Sequence, residues 1–354
     1  MFKQEITKIK NQIQKRLEKF FAGKIKAAKQ IDPIIEKTAR YLADQTLNGG
    51  KRIRAALAVQ GYLAGGKKLN PAIYDIGAAM ELIHSYFLIH DDIIDEDDLR
   101  RGWPSMHCRC SSSLSKSISI AHRHHLGESL AILAGDISSV WAYELFAKSN
   151  FPAGQKIKAF NEMNQMIFKC GTGEILDVAL ELKNYPKVSD VFKVQIYKTA
   201  SYTIEGPLVI GAILGGAKPP AIKALREFAR PLGIAFQIQD DILGLFGDEE
   251  EIGKPIGSDL RQGKMTLLML HALKYADDHQ KQIIQSALGN ENISKKQINE
   301  VRVIIQQTGS LAYSQKLVQK FSNQSKIILQ KSSLPDWTKS FLASLIEYLA
   351  KRSK

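Results

Sequence analysis

The stretch "AIYDIGAAMELIHSYFLIHDDIID", residues 72–95, decides the fold. Its apolar residues recur at spacings of three and four, the pattern of a helix with a buried face. Then the pattern breaks. Asp91, Asp92, Asp95, Glu96, Asp97 and Asp98 put six carboxylates into eight positions, and Arg100 and Arg101 follow. Apolar sequence seeks a core and clustered carboxylates avoid one, so the junction needs a reason. On a helix Asp91 and Asp95 share a face, with Cβ atoms roughly 5–6 Å apart. Two carboxylates that close repel unless a cation sits between them. Oxygen-only ligands suit Mg²⁺, which keeps some waters and completes its shell with phosphate oxygens. Taken alone, the motif reads equally well as a solvated acidic helix end.

Helical spacing extends outward from this stretch. Residues 155–170, 189–214 and 221–246 all carry it, and convincing period-2 strands and Asn-Gly hairpin turns are absent. Short breaks such as "LNGGK", "RRGWPS" and "GGAKPP" are evenly dispersed, with no long linker. The expectation is one all-α domain over residues 1–354, with ten or more helices. Pro207 and Pro231 lie inside helical patterns and predict a kink or an end. The serine-rich segment 108–125 predicts a loop or insert.

The totals limit the partners. The chain has 354 residues, 44% of them hydrophobic, and a formal net charge of +13. That charge suits nucleic acid, an anionic membrane face or small polyanions. The basic residues are spread along the chain, with no aromatic-plus-basic ladder, which argues against nucleic acid. Lys3 to Lys29 reads as a solvated helix face first, with peripheral membrane contact second. Three cysteines make no disulfide framework, and the first residues lack a signal-peptide core. The longest apolar run, 206–217, is shorter than the ~20 residues a membrane span needs. A reducing cytoplasm is the expected location.

A second acidic cluster sharpens the metal reading. "FQIQDDILG", 236–244, sets Asp240 and Asp241 behind another apolar run, with Gln237 on the Asp240 face. Two acidic helix ends can face each other across a cavity and hold metal ions around one polyanion. Basic groups bracket both motifs. Lys51 and Arg54 in "GGKRIR" fall on one face of a helix that begins after two glycines, a favourable place for an anion. Arg100 and Arg101 follow the first motif, Lys254 and Lys264 follow the second, and "YKTA" adds Lys198 and Thr199. The set suits two diphosphates and Mg²⁺. "LNGGKR" is not a P-loop. The "HCRC…HRHH" region matches no standard zinc spacing, and His125 reads as a packed or pocket histidine.

These motifs, in this order, resemble the trans-isoprenyl diphosphate synthases, the polyprenyl synthetase family. The resemblance covers about residues 30–340 and rests on "GGKRIR", "IHSYFLIHDDIIDEDDLRRG", "HLGESLAILAGD", "GEILDVAL", "YKTA", "FQIQDDILGLFGD" and "GKPIGSDLRQGKMT". It implies the isoprenoid synthase fold, an all-helical cup around a deep apolar cavity, as a homodimer. It implies a Mg²⁺-dependent condensation of isopentenyl diphosphate with dimethylallyl, geranyl or farnesyl diphosphate. By the family pattern Asp91 and Asp95 bind two Mg²⁺ and Asp240 a third. Arg100, Lys198, Thr199, Gln237 and Lys254 hold the allylic diphosphate, with Lys264 close by. Lys51, Arg54, His84 and Arg101 hold isopentenyl diphosphate, and Asp177 lies near the reacting carbons. The catalytic set is Asp91, Asp95, Lys198 and Asp240.

Tyr86 and Phe87 stand where bulky residues form the pocket floor in the family, which implies a short all-trans product, C15 first and C20 second. Gly244 stands where many members carry Asp, and Ala55 where Pro is common. A class I terpene cyclase shares the fold and the first motif, but "DDILG" and the Lys51/Arg54 element argue against it. A non-catalytic subunit of such a synthase is a further alternative, disfavoured because both motifs and the arginine pair are present.

Overall fold

Local chemistry fixes most helix boundaries. Asp32 accepts a hydrogen bond from the Ile34 amide and Pro33 takes the first turn, so a helix starts there. Capping boxes at Asp277/Gln280 and Ser294/Gln297 start two more. The computed structural model describes residues 2–183, 186–247 and 256–350. In order these form α1 (Phe2–Lys29), α2 (Pro33–Leu47), α3 (Ile53–Ala64) and α4 (Ile73–Ile94). A hairpin of β1 (Leu99–Arg100) and β2 (Trp103–Pro104) leads to α5 (Met106–Ser112), α6 (Ile120–Lys148) and α7 (Ala153–Glu181). Next, α8 (Val188–Val194) runs into a π-helical segment, Gln195–Glu205, then α9 (Gly206–Leu214) and α10 (Pro219–Phe246). The remainder is α11 (Ser258–Arg261), α12 (Leu267–Tyr275), α13 (Asp278–Ala287), α14 (Lys295–Gln307), α15 (Ser310–Lys331) and α16 (Asp336–Ala350).

Helix α4 is the hub. Every residue from Ile76 to Ile83 is buried, so this part of the helix is covered on all sides. It packs against α1, α3 and α6, and its acidic end alone emerges. One core gathers Leu57, Ile76, Leu82, Phe146 and Phe228; a second gathers Ile238, Leu268, Val301 and Ile305. Helix α10 runs through both, which ties the second acidic motif to the same frame as the first.

Glycine sets two close helix contacts. Between α3 and α9 a Cβ on Gly61 would lie 2.0 Å from the Leu208 carbonyl oxygen, and one on Gly211 would lie 1.9 Å from that of Ala58. The apolar 206–217 run is therefore half of a backbone-to-backbone helix pair. The π segment is pinched likewise, by Gly173 of α7 against Lys198 and Gly233 of α10 against Ala200.

The structure corrects several expectations. The break at "RRGWPS" contains a tight hairpin whose central residues, Arg101 and Gly102, both have positive φ. That is the hairpin turn chemistry of Asn-Gly carried by Arg-Gly. The serine-rich segment is largely helical, with α5 reaching Ser112 and α6 starting at Ile120, because Met106, His107 and Cys110 supply a buried face. Pro207 does mark a boundary, at the start of α9, whereas Pro231 sits inside α10. Helix α6 is long and apolar enough, by length and composition, to cross a membrane. One of its faces lies in the core, where the Ser138 hydroxyl donates to the Leu82 carbonyl.

Candidate active site

Both acidic helix ends open into one cavity of about 1250 Å³. Asp91 lines it from α4, Asp240 and Asp241 from α10, Glu174 and Asp177 from α7, and Lys198 and Thr199 from the π segment. The segment after the second motif reaches back onto the first. Lys264 Nζ lies 2.6 Å from Asp95, and Gln262 donates to the Asp95 carbonyl and the Asp97 carboxylate. Lys254 lies outside the described residues.

Carboxylate oxygens of Asp91, Asp95 and Glu174 fall within 4.8 Å of one another. An all-oxygen trio this compact fits a small hard cation such as Mg²⁺. Glu174 escaped the sequence reading because "GEILDVAL" sits some 80 residues from the first motif and its glutamate looks like ordinary helix surface. Crowding raises the proton affinity of the trio. Burial, then Asp91, pushes Asp95 up, and burial with Asp91 and Asp177 raises Glu174 to about 6. Lys198 offsets this, with Nζ 2.8 Å from Asp177, 2.9 Å from Glu174 and 3.4 Å from Asp91. Burial disfavours its charge, but Asp91 and its neighbours win, and its pKa stands well above the ordinary value.

The second motif is held by amides. Gln237 and Gln195 both donate to the buried Asp241, and the Thr199 hydroxyl donates to Gln237 at 2.6 Å. Burial, then Asp259, pushes the Asp241 carboxyl well up. Gly244 has no side chain to offer, yet a Cβ there would meet Asp259 Oδ2 at 3.1 Å. Asp259 lines the cavity, so a carboxylate from α11 stands beside the position where many family members carry aspartate.

Arg100 has a job inside the protein. It donates to Asp92, which is fully buried, and reaches Asp91 and Asp97 at 3.2 and 3.5 Å. Burial works against its charge, and Asp92 and Asp91 override that and raise its pKa. Arg100, Lys198 and Lys264 are all engaged with carboxylates.

The cations on the opposite wall have neutral partners. Arg54 donates to the Thr203 hydroxyl at 2.8 Å and lies over the Tyr202 ring at 4.3 Å. Arg101 donates to the Asn48 carbonyl and packs against Gly49 and Gly50, where a Cβ would crowd it. Lys51 Nζ sits 5.7 Å from the Tyr348 ring. His84, 3.2 Å from the Tyr202 hydroxyl, is held neutral by burial and by Arg54. Among the described residues these cations make no ion pair that an arriving anion would have to displace. Lys51 is not on the helix face the sequence suggested, since α3 begins at Ile53 and Lys51 lies in the preceding loop. Arg52 turns inward instead, onto Glu81 at 2.7 Å and the Thr46 carbonyl, and fixes that loop. The first and last described helices also reach the cavity: Phe2 and Lys3 of α1 line it with Glu347 and Tyr348 of α16, a contribution with no motif to announce it.

Phe87 is on the cavity wall, with its ring 4.9 Å from that of Tyr202. Tyr86 is not among the lining residues and backs Phe87 at 4.8 Å.

Two acidic helix ends and a group of cations around one cavity are what the resemblance implied, and comparison with known proteins shows the family. The polyprenyl synthetase profile matches residues 32–305, and the chain belongs to that family. It is 35% identical over 311 residues to the geranylgeranyl diphosphate synthase of Sulfolobus acidocaldarius, covering 87% of this chain and 88% of that one. It is 36% identical over 259 residues to the short chain isoprenyl diphosphate synthase of Methanocaldococcus jannaschii, covering 73% and 72%. Among solved structures, the Corynebacterium glutamicum geranylgeranyl pyrophosphate synthase, complexed with isoprenyl diphosphate and magnesium, superposes with a TM-score of 0.92 at 32% identity. That match covers 98% of this chain and 99% of the other.

Proposed function

We propose that the protein is a Mg²⁺-dependent trans-prenyltransferase that condenses isopentenyl diphosphate with an allylic diphosphate to a C15–C20 all-trans product. The carrying observation is the electrostatic division of one cavity into an acidic end and a cationic wall with neutral partners. The acidic end suits an allylic diphosphate accompanied by metal; the wall of Lys51, Arg54 and Arg101 suits a diphosphate that arrives without it. We assign three Mg²⁺, two at Asp91 and Asp95, with Glu174 beside them, and one at Asp240. Mg²⁺ supplies charge neutralisation for the leaving diphosphate. Lys198 and Thr199 position that group, His84 stays neutral beside the isopentenyl site, and Phe87 stops the growing tail. The relatives named for geranylgeranyl diphosphate weight the range toward C20. Labelled isopentenyl diphosphate with each allylic primer and Mg²⁺ should give products of this length, and no product with Mg²⁺ present, or undiminished product after its removal, would overturn the reading.

The two walls predict separable defects. Lys51→Ala or Arg54→Ala should raise KM for isopentenyl diphosphate roughly 10- to 150-fold, the loss of one charge-assisted bond. Lys198→Ala should act on the allylic side and on kcat, because it also leaves Asp91, Glu174 and Asp177 without their shared ammonium. Equal effects of all three changes on both substrates would sink the division.

A homodimer belongs to the same proposal. Leu133 and Val140 on α6, Phe168 and Ile175 on α7, and Leu182 just beyond it are each more than half exposed. Exposed apolar side chains in such number favour association. Sedimentation should give the mass of two chains, and Leu133→Asp with Phe168→Asp should give one; a monomeric wild type would refute it. A cytoplasmic location fits the free thiols of Cys110 and Cys170, and fractionation of cells tests it.

A further inference from the structure

Outside the cavity, the base of the hairpin gathers a second set of metal-ligating side chains. One ligand atom each from Asp98, His107 and Cys108 lies within 4.8 Å of the other two. Cys108 Sγ is 3.1 Å from Asp98 Oδ1. Local folding produces this. The Ser105 amide donates to the Asp98 carbonyl at 2.8 Å, closing the hairpin, and α5 then begins with His107 and Cys108 in its first turn. The Ser105 hydroxyl sits 3.2 Å from His107 Nδ1 and orients the largely buried ring. Sequence spacing could not show the trio, because Asp98 is separated from His107 by the whole hairpin.

The donor set differs in kind from that of the cavity. Sulfur, nitrogen and oxygen together suit a borderline-soft, tetrahedral ion of the Zn²⁺ class, whereas Mg²⁺ takes oxygen alone. Bond lengths of about 2.0–2.3 Å in a tetrahedron put donor atoms roughly 3.3–3.7 Å apart. Small side-chain rotations reach that from the observed spacing. Histidine ligates through a neutral ring nitrogen, and Ser105 at Nδ1 leaves Nε2 for the ion. The Cys108 thiol is raised to about 11, chiefly by burial, so its proton must leave to solvent as a metal binds. Asp98 is exposed and Cys108 partly so, which leaves an entry path and a fourth position for water.

We propose that Asp98, His107 and Cys108 form a Zn²⁺-class site, separate from the Mg²⁺ cavity, that ties the hairpin to the start of α5. The hairpin carries Arg100 and Arg101, so the ion would hold the backbone from which both arginines project.

Titration of the full chain with Co²⁺ in saturating Mg²⁺ tests this without recourse to activity. One equivalent per chain should produce a thiolate-to-Co²⁺ charge-transfer band in the near ultraviolet, and Zn²⁺ should bleach it. Cys108→Ser should abolish the band, Asp98→Asn should weaken Co²⁺ binding at least tenfold, and Cys110→Ser should leave the band in place. Zn²⁺ should also raise the melting temperature of the wild type and not of Cys108→Ser. A wild-type protein with no band, or a band that survives Cys108→Ser, overturns the proposal.

Discussion

Asp91→Ala and Asp240→Ala are each expected to lower kcat by roughly 10²–10³-fold or more while the melting temperature stays near that of the wild type. Charge stabilisation by a metal is worth several kcal/mol in the transition state, and each 1.36 kcal/mol is tenfold in rate. The fold should persist because Asp91 and Asp240 stand on the cavity wall. Truncating Asp91 leaves Arg100 on Asp92 and Lys198 on Glu174 and Asp177. The adjacent residue sets the contrast. Asp92 is fully buried and is Arg100's closest partner, so Asp92→Ala leaves that buried guanidinium only the longer contacts to Asp91 and Asp97 and should lower stability as well, by up to about 3 kcal/mol. Steady-state kinetics at saturating Mg²⁺, paired with thermal denaturation of all three variants, separates the two roles. Near-normal turnover in Asp91→Ala or Asp240→Ala would show that the metal assignment is wrong.

The second large effect is a change of product. Phe87→Ala should lengthen the chain by opening the wall, and Tyr86→Ala/Phe87→Ala should lengthen it further. The structure assigns the two rings different parts. Phe87 meets the cavity directly, held between the Tyr202 ring and the Tyr86 ring. Tyr86 is a buttress, itself packed on His90 at 4.7 Å. Removing the buttress alone should therefore change product length less than removing Phe87 alone. The first condensation should survive, since neither ring supplies a metal ligand or a charge to the site. Chromatography of hydrolysed products reads the outcome directly. Unchanged length in the double variant, at comparable activity, would place the floor elsewhere, and a wild-type product of C30 or longer would refute the short-chain reading.

Residues whose partners lie on their own helix were the legible part of this site. Asp91 and Asp95 could be paired from spacing alone, because a helix fixes which side chains share a face; the same spacing set Gln237 beside Asp240, whereas its amide donates to Asp241, four residues on. Partners supplied by distant segments were not. Glu174, Asp259 and Gln262 meet the acidic motifs only through tertiary packing; the motifs that contain them were visible, but no spacing ties these side chains to Asp91, Asp95 or Asp241. Lys51 was misplaced because helix periodicity was extended through a loop whose Arg52 has a φ of 52°. Composition also misled at 108–125, where serines suggested a loop although a few inward-facing side chains were enough to build α5. The first and last described helices gave no signal, since Phe2 and Tyr348 become neighbours only when those two helices pack together.

The π-helical stretch gives the protein something like a reading frame in space. Lys198 and Thr199 point into the acidic end, and Tyr202 and Thr203 meet Arg54 at the other, all from one continuous turn-and-a-half of backbone. A π-helix is an α-helix with a residue to spare. Deleting one residue there would relax it to ordinary winding and shift Lys198 and Thr199 out of phase with Tyr202 and Thr203. No exchange of side chains could restore the phase, because both flanks are clamped backbone to backbone by Gly173 and Gly233. In this stretch the chain can change its letters but not its count.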